Sequence, residues 1–297
     1  MTAMSITLAK AVRATITYFD LLDFALTLDE AWEYLYGCSA TREEVQKCLD
    51  EFVKNGEISY QAPYYMMPGR EALFEIRLKK KETEKKLWSV VERFALVLRS
   101  IPFVKMVAVC NNLAFGNVTD ASDIDLFIVT ERGRMFSARA CATVLTQLTG
   151  RRRHGDKIAG RFCLSFFADE SALSLGKIAI KDDIYLAYWL KTLTPICGAK
   201  TYEKLLEQNR WVERFFGRPV TPRLQRLGVG SELRKTAERV LPPSFEKSMR
   251  KFQVRRATEK MNKLQNTSGT VISDTVLKFH DNDRREDVRE RFFQSIA

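Results

Sequence analysis

The chain has 297 residues, of which 45% are hydrophobic and 29% are charged, and its formal net charge is +11. A chain of this length can bury a substantial core in two or three domains, and no apolar run approaches the ~20 residues needed to span a bilayer. Two histidines and six cysteines without a CxxC pair argue against a zinc site and favour reduced thiols in the cytoplasm.

Residues 1–70 are predicted to form a winged-helix-like domain of three helices and a hairpin. Helical spacing of apolar residues predicts the first helix, and capping boxes at Thr27 and Thr41 begin the other two. The predicted elements occupy 8–24, 27–36, 41–54, 57–60 and 64–67. On the third helix, exposed acidic residues outnumber exposed basic ones, which disfavours DNA phosphates. We therefore expect this domain to contact a protein partner or to pack within the chain.

A linker helix is predicted next, over 71–100, and it leads to the most informative stretch of the chain. Residues 104–109 read as a buried strand, Asn111 and Asn112 begin a turn or first helical turn, and a second strand starts at 124. Asp123 and Asp125 are two residues apart, so on a strand they project to the same face. Two carboxylates that close need a cation between them to stay ionised. Mg²⁺, or Mn²⁺, is the expected ion, and it usually completes its shell with substrate phosphates such as those of an NTP.

The arrangement of strand, turn, and strand bearing Asp-x-Asp resembles the polymerase-β-like nucleotidyltransferase superfamily, over about 104–130 and more weakly to about 215. The resemblance implies Mg²⁺-dependent transfer of NMP from an NTP to a hydroxyl acceptor, with Asp123 and Asp125 as metal-binding catalytic residues. It also implies that Asn111, Asn112 and Ser122 bind the nucleotide. Nothing in the sequence names the acceptor, so RNA 3′ ends, a protein hydroxyl and a small metabolite stay open.

The chain departs from the family pattern at two places. Asn111-Asn112 stands where the family has Gly-Ser; Asn tolerates left-handed backbone, and its amide can donate to a phosphate. Many family members also have a third carboxylate on a later strand. That strand is predicted here over 161–168 as a central strand without a carboxylate, and the nearby candidates Asp156, Asp169 and Glu170 stay open.

The core of the nucleotidyltransferase domain is predicted over 101–175, followed by a helical, basic region over 176–297. Helices are predicted over 131–149, 182–193, 202–216 and 244–264. Between 210 and 263 there are 15 Lys and Arg against 5 Asp and Glu, an excess that favours polyanions such as RNA. Asp283 with Glu286 is interpreted as a helix N-cap rather than, with Asp281, as a second metal site.

The fold class predicted from these elements is α+β: a small mixed nucleotidyltransferase sheet with flanking helices, an N-terminal winged helix-turn-helix and a helical C-terminal region. Two other functions stay open. One is a degenerate nucleotidyltransferase domain that binds nucleotide or partner without turnover, and the other is a winged-helix regulator that binds nucleic acid.

Overall fold

The computed structural model describes residues 6–220, 238–262, 269–279 and 283–296, and it is a mixed α+β protein. The N-terminal part contains three helices and a small antiparallel sheet whose strand order is β1-β3-β2. Both predicted capping boxes are present, at Thr27 and Thr41. The elements are α1 (Leu8–Asp20), β1 (Leu26–Thr27), α2 (Leu28–Glu33), α3 (Arg42–Lys54), β2 (Ser59–Gln61) and β3 (Tyr64–Met66).

A 27-residue helix, α4 (Leu73–Arg99), leads from this part into a six-stranded sheet of order β7-β4-β5-β6-β9-β8. β5 pairs antiparallel with β4 and parallel with β6, so the strand that carries Asp125 as its second residue is central. The remaining elements are β4 (Val104–Val109), α5 (Asn111–Ala114), β5 (Ile124–Thr130), α6 (Met135–Leu148), β6 (Phe162–Asp169), α7 (Ile184–Thr192), β7 (Thr194–Cys197), α8 (Ala199–Gln208), α9 (Pro243–Met261), β8 (Thr270–Ile272), β9 (Val276–Phe279) and α10 (Arg285–Ile296).

The two faces of the large sheet are covered by different helices. One face packs under α4 and α6, because alternate residues such as Val107, Leu126 and Ile128 point to that side. The opposite face, which includes Phe127 and Phe166, packs under α7 and the N-terminal helices. Asp125 lies two residues before Phe127 on the same strand, so it points toward the α7 side.

The N-terminal helices share a core with this second face. Tyr18 of α1 stacks on Tyr188 of α7 with ring centroids 4.0 Å apart, and the Tyr188 hydroxyl donates to the Tyr34 carbonyl at 2.8 Å. Tyr36 packs edge-on against Phe292 of α10. Residues far apart in the chain are therefore buried in one continuous cluster.

The prediction that 176–297 is a helical region is wrong in part. Its helices α7 to α10 are present, but it also supplies β7, β8 and β9, which are half of the strands in the large sheet. These strands have only three or four residues, too few for a two-residue hydrophobic period to be recognised. The helix predicted over 202–216 ends at Gln208 and continues as a 3₁₀ segment, Arg210–Phe215.

Several predicted features lie wholly or partly outside the described residues. They include Asp281 and the middle of the basic stretch 210–263. In the described part of the chain, no helix combines the length and the apolar content that crossing a membrane requires. All six cysteines are described, and each is a free thiol.

Candidate functional site

The two predicted halves of the site meet because β4 and β5 are antiparallel neighbours. The end of β4, with Val109 opposite Leu126, brings the Asn111 turn beside the start of β5, and the Cys110 amide donates to the Asp125 carbonyl at 3.0 Å. Asn111 has φ +55°, in the left-handed region that glycine and asparagine adopt most easily. This explains how Asn can occupy a position at which the resembling family has Gly.

A carboxylate pair and a thiol form a cluster at the start of β5. Single oxygen or sulfur atoms of Asp123, Asp125 and Cys163 all lie within 4.8 Å of one another. Cys163 is the partner of Asp125 in the β5–β6 register, and an irregularity in that pairing brings Phe166 opposite Phe127. Cys163 therefore lies at the position on the later strand where the sequence resemblance predicts a third carboxylate.

The three candidates for a third carboxylate lie elsewhere. Asp169 is opposite Thr130, five positions from Asp125 along the register, which is roughly 16 Å at strand spacing. Its carboxylate accepts from the Ser171 amide and hydroxyl. Glu170 follows it, and among the described residues Asp156 is in no cluster with Asp123 and Asp125. None of the three joins the pair.

The two carboxylates differ in their surroundings. Burial and the charge of Asp123 raise the pKa of Asp125 to about 6, while the Asn111 amide, the Cys163 thiol and Arg153 oppose that rise. Asp123 is ion-paired with Arg153, whose Nη1 lies 2.6 Å from Oδ2 of Asp123 and 3.5 Å from the Cys163 sulfur. The Arg153 guanidinium thus neutralises the charge of Asp123, whereas Asp125 has no ion pair among the described residues.

The donor set fits a hard cation held by the two carboxylates. Burial, followed by the charge of Asp125, raises the pKa of Cys163 to about 12, so the thiol keeps its proton at neutral pH. A neutral thiol is a poor ligand for Mg²⁺, which prefers oxygen, whereas Zn²⁺ sites normally require three or four ionised or imidazole ligands. Asp123 and Asp125 suit Mg²⁺ or Mn²⁺, and the remaining ligands would come from substrate and water.

A cavity of about 160 Å³ opens on the Asp125 side of the cluster, and we call it the Asp125 cavity. Its walls come from the Asn111 turn, from α7, from Lys278 of β9 and from residues 283–285. The lining residues include Asn111, Asn112, Asp125, Tyr185, Trp189, Lys278, Arg284 and Arg285. The indole of Trp189 donates to Oδ1 of Asn111 at 2.9 Å and so orients that amide.

The basic residues of this cavity were not predicted from the sequence. Lys278 on β9 is 5% exposed, and in the described part of the chain its ammonium has no hydrogen-bond or ion-pair partner. Burial, with the nearby charge of Arg285, lowers the pKa of Lys278 to about 8, while Asp283 and Asp183 oppose that change. In the sequence, Lys278 is distinguished only as a lysine inside an apolar four-residue strand.

The neighbouring ion pairs hold Arg285 in place. Arg285 pairs with Asp283 at 2.7 Å and with the buried Asp183 at 3.4 Å. Although burial alone would raise it, the hydrogen bonds and charge of Arg285 hold the pKa of Asp283 at about 2. Asp283 also accepts from the Arg285 amide at 3.2 Å, but α10 begins at Arg285, so the N-cap predicted at Asp283 lies one residue too early.

Ser122 does not line the cavity. Its hydroxyl accepts from the Thr119 amide at 2.9 Å and closes the turn before β5, while Asn112 is exposed at the cavity mouth. Of the five residues predicted to form the site, Asn111, Asn112 and Asp125 line one cavity. Asp123 joins them through the carboxylate cluster, and Ser122 supports the turn that carries the pair.

Comparisons with models of protein families, with curated proteins and with solved structures found no match for this chain.

Proposed function

We propose that the chain is a nucleotidyltransferase of the polymerase-β-like kind, which transfers NMP from an NTP to a hydroxyl acceptor. The observation that carries the proposal is the position of the carboxylate pair. Asp123 and Asp125 stand side by side at the start of a central strand, and Asp125 faces a cavity that also contains a buried lysine with no ion pair among the described residues. Acidic groups next to a basic cavity suit a bound metal and the phosphates that it contacts.

The NTP would place its phosphates in the Asp125 cavity, with Asn112 and Arg284 at the mouth and Lys278 at the wall. The cavity volume of about 160 Å³ is below the ~300–1,000 Å³ of pockets that enclose whole ligands. It therefore suits the phosphates, with the nucleoside outside. When bound by Asp123 and Asp125, Mg²⁺ would supply positive charge to stabilise the negative charge that develops during phosphoryl transfer.

In the proposed reaction the acceptor oxygen forms a bond to the α-phosphorus. The bond from that phosphorus to the bridging oxygen breaks, pyrophosphate leaves with the electron pair, and the acceptor proton passes to water. Lys278 and Arg284 would bind the phosphates that depart, and Asn111 would hold the Asp125 carboxylate beside them. The protein mainly positions the reactants and supplies fixed charge, as expected for this type of transfer.

The N-terminal elements support a second part of the proposal, a winged-helix arrangement. Three helices and a three-stranded antiparallel sheet follow one another in the order helix, strand, helix, helix, strand, strand. On α3 the exposed side chains include Glu43, Glu44, Asp50 and Glu51. This acidic surface favours packing or contact with a protein over contact with DNA, and it argues against the regulator.

A nucleotide-binding protein without turnover is the second candidate, because Arg153 already neutralises Asp123 and Cys163 stands where a third carboxylate was sought. The deciding experiment incubates the protein with each α-labelled NTP, Mg²⁺ or Mn²⁺, and total cellular RNA and protein. Transfer of the α-label with release of pyrophosphate supports the enzyme. An NTP-dependent rise in melting temperature without pyrophosphate release supports the second candidate. If the protein shows no transfer and no NTP-dependent rise in melting temperature, both candidates are refuted.

A further inference from the structure

A second, larger opening lies on the other side of the carboxylate cluster, between α6 and α9. It is an open groove of about 790 Å³, and we call it the α6–α9 groove. Its floor is the first half of β6, residues 163–165, because in the described part of the chain β9 pairs with β6 only over 166–168.

The groove is strongly basic. Arg139, Arg152, Arg153, Arg256 and His154 line it, and no carboxylate does so among the described lining residues. Within the described part of the chain, neither Arg152 nor Arg256 forms an ion pair. These arginines are available to a ligand from outside.

Arg139 adds a buried donor to the groove. Its Nη1 donates to Gln253 of α9 at 2.9 Å, but its buried Nε has no hydrogen-bond partner among the described residues. Burial lowers the pKa of Arg139 to about 10, and the charges of Arg152 and Arg256 add to the effect. Arg152 and Arg256 each lie close enough to Arg139 to disfavour its positive charge, and an anionic ligand in the groove would offset that repulsion.

An aromatic side chain stands beside these charges. Phe252 on α9 is 45% exposed, and the Arg256 guanidinium lies 5.5 Å from the centre of its ring. Exposed aromatic rings beside a basic groove are the usual features of proteins that bind single-stranded nucleic acid, because bases stack on the rings while phosphates contact the cations. A double helix presents only its backbone and groove edges, and its stacked bases cannot reach such a ring.

We propose that the α6–α9 groove binds a single-stranded polynucleotide, with phosphates at Arg152 and Arg256 and a base on Phe252. Cys163 belongs both to the groove and to the carboxylate cluster, and Arg153 bridges from the groove to Asp123. The end of the strand would thus reach the carboxylates from the side opposite the Asp125 cavity. Only this acceptor role rests on the proposed function; the binding itself does not.

The structure also separates the basic residues of α9 into two faces. Met249, Phe252, Gln253, Arg256 and Ala257 recur at helical spacing and line the groove, whereas Lys251 and Arg255 do not. Arg255 instead approaches Glu259 of the same helix at 3.6 Å. The charge excess over 210–263 predicted that this helix is basic, but it could not distinguish Arg256, which lines the groove, from Arg255, which does not.

The test measures fluorescence anisotropy of labelled RNA and DNA oligonucleotides of about 15 nucleotides with the full chain, over a range of salt concentrations. Arg256→Glu is compared with Arg255→Glu, the same charge change one residue away. We expect Arg256→Glu to weaken binding at least about tenfold and to lower the slope of log affinity against log salt by roughly 0.7. Phe252→Ala should weaken binding roughly 5- to 140-fold with an unchanged slope.

The inference is overturned if the parent protein binds no oligonucleotide at low salt, or if the two arginine variants lose affinity equally. Equal affinity for duplex and single strand also overturns it. Similar binding of RNA and DNA supports contacts to phosphate and base, and a preference for RNA supports additional contacts to the 2′-hydroxyl. If the protein transfers NMP from an NTP but binds no strand, the inference about the groove is wrong and the proposed function stands. If it binds the strand but transfers no NMP, the proposed function is wrong and the inference about binding stands.

Discussion

The Asp125 cavity and the α6–α9 groove adjoin the same carboxylate cluster, but they hold positive charge in different ways. In the cavity, Arg285 is fixed by Asp183 and Asp283, and Lys278 is buried. In the groove, the guanidinium groups of Arg152 and Arg256 have no acidic partner in the described part of the chain. The cavity is also much smaller, at about 160 Å³ against about 790 Å³.

This contrast indicates two classes of ligand. Charges that are buried and held by ion pairs cannot follow a flexible ligand, so they suit a compact group of one size and shape. Unpaired charges on an open surface raise the local concentration of any polyanion and tolerate variation along it. The cavity thus suits the phosphates of a small substrate, and the groove suits a polymer. The following predictions test whether the two regions function separately.

The largest effect should come from the carboxylate between the two regions. Asp125→Ala should reduce NMP transfer more than about 100-fold, because it removes one of the two groups that hold the metal. The measurement is transfer of α-label from NTP at saturating Mg²⁺, with the Mg²⁺–NTP shift in melting temperature alongside. Asp156→Ala, which removes an exposed carboxylate outside the cluster, is the control. An unchanged melting shift in Asp125→Ala would remove Asp125 from the site.

The raised pKa of Asp125 predicts that the free energy of unfolding changes with pH. The pKa of Asp125 in the folded protein, about 6, lies above its ordinary value of 3.8, so ionisation disfavours the fold. Relative to Asp125→Asn, the metal-free protein should lose stability as pH rises from about 4 to about 6, by up to roughly 3 kcal/mol. Urea unfolding of both proteins across this range measures the difference. A constant difference would mean that Asp125 titrates normally.

A smaller effect is expected at the wall of the cavity. Lys278→Met should weaken NTP binding roughly 10- to 100-fold, because it removes a charged donor to phosphate, and it should leave strand binding in the groove unchanged. Since the pKa of Lys278 is about 8, NTP affinity in the parent should fall as pH rises through that value and the ammonium loses its proton.

Lys278→Arg is the matched control for this prediction, because it keeps the positive charge and stays ionised well above pH 8. Calorimetric titration of NTP from pH 7 to 9.5 compares the three proteins. Equal affinities and equal pH profiles would show that the phosphates do not reach Lys278. Parallel loss of strand binding in Lys278→Met would show that cavity and groove are one site.

The Asn111 turn should show a difference between its two asparagines. Asn111→Gly keeps the left-handed backbone but removes the hydrogen bond from Trp189 and the amide beside Asp125, so we expect about a fivefold loss of transfer. Asn112→Ser, at the exposed mouth, should retain or tighten NTP binding, because a hydroxyl can donate to phosphate as an amide does. Steady-state kinetics of the single and double variants decides this. Higher activity in Asn111→Gly would contradict a positioning role for that amide.

The smallest effect is expected for the thiol of the cluster. Cys163→Ser should change transfer less than about threefold, because a protonated thiol contributes little to binding of a hard cation. Transfer is measured with Mg²⁺, Mn²⁺ and Cd²⁺ for both proteins. A selective loss with Cd²⁺ would identify the sulfur as a ligand to soft metals, and a general loss would make Cys163 part of the metal site.

The sequence predicted the parts of this molecule that depend on neighbouring residues. β4, β5 and β6 follow from runs of β-branched and apolar residues, and the turn at Asn111 follows from the conformational tolerance of Asn. Contributions from distant segments were not predictable, because they depend on how the sheet is completed. Arg153 reaches Asp123 across 30 positions, and Lys278 reaches the cavity only because β9 pairs with β6.

For one site residue, Ser122, the role predicted from its neighbours in the sequence differs from the role it has in the structure. Ser122 precedes the carboxylate pair and resembles a phosphate-binding residue, but its hydroxyl is used by the preceding turn. Short polar side chains often bond to nearby backbone, and a motif gives no sign of that competition. Cys163 was not predictable as the neighbour of Asp125 for a different reason, because the β5–β6 register brings the two residues together.

The stacking of Tyr18 on Tyr188 means that this chain cannot be divided at the end of its N-terminal helices. A fragment that begins at α4 would expose the rings of Tyr188 and Phe115, and a fragment that ends there would expose Tyr18 and Phe19. Each half would present an apolar surface prone to self-association. The two parts should therefore unfold in a single cooperative transition. A substitution in the aromatic packing of α1 would then reduce the amount of active protein without touching a reacting group.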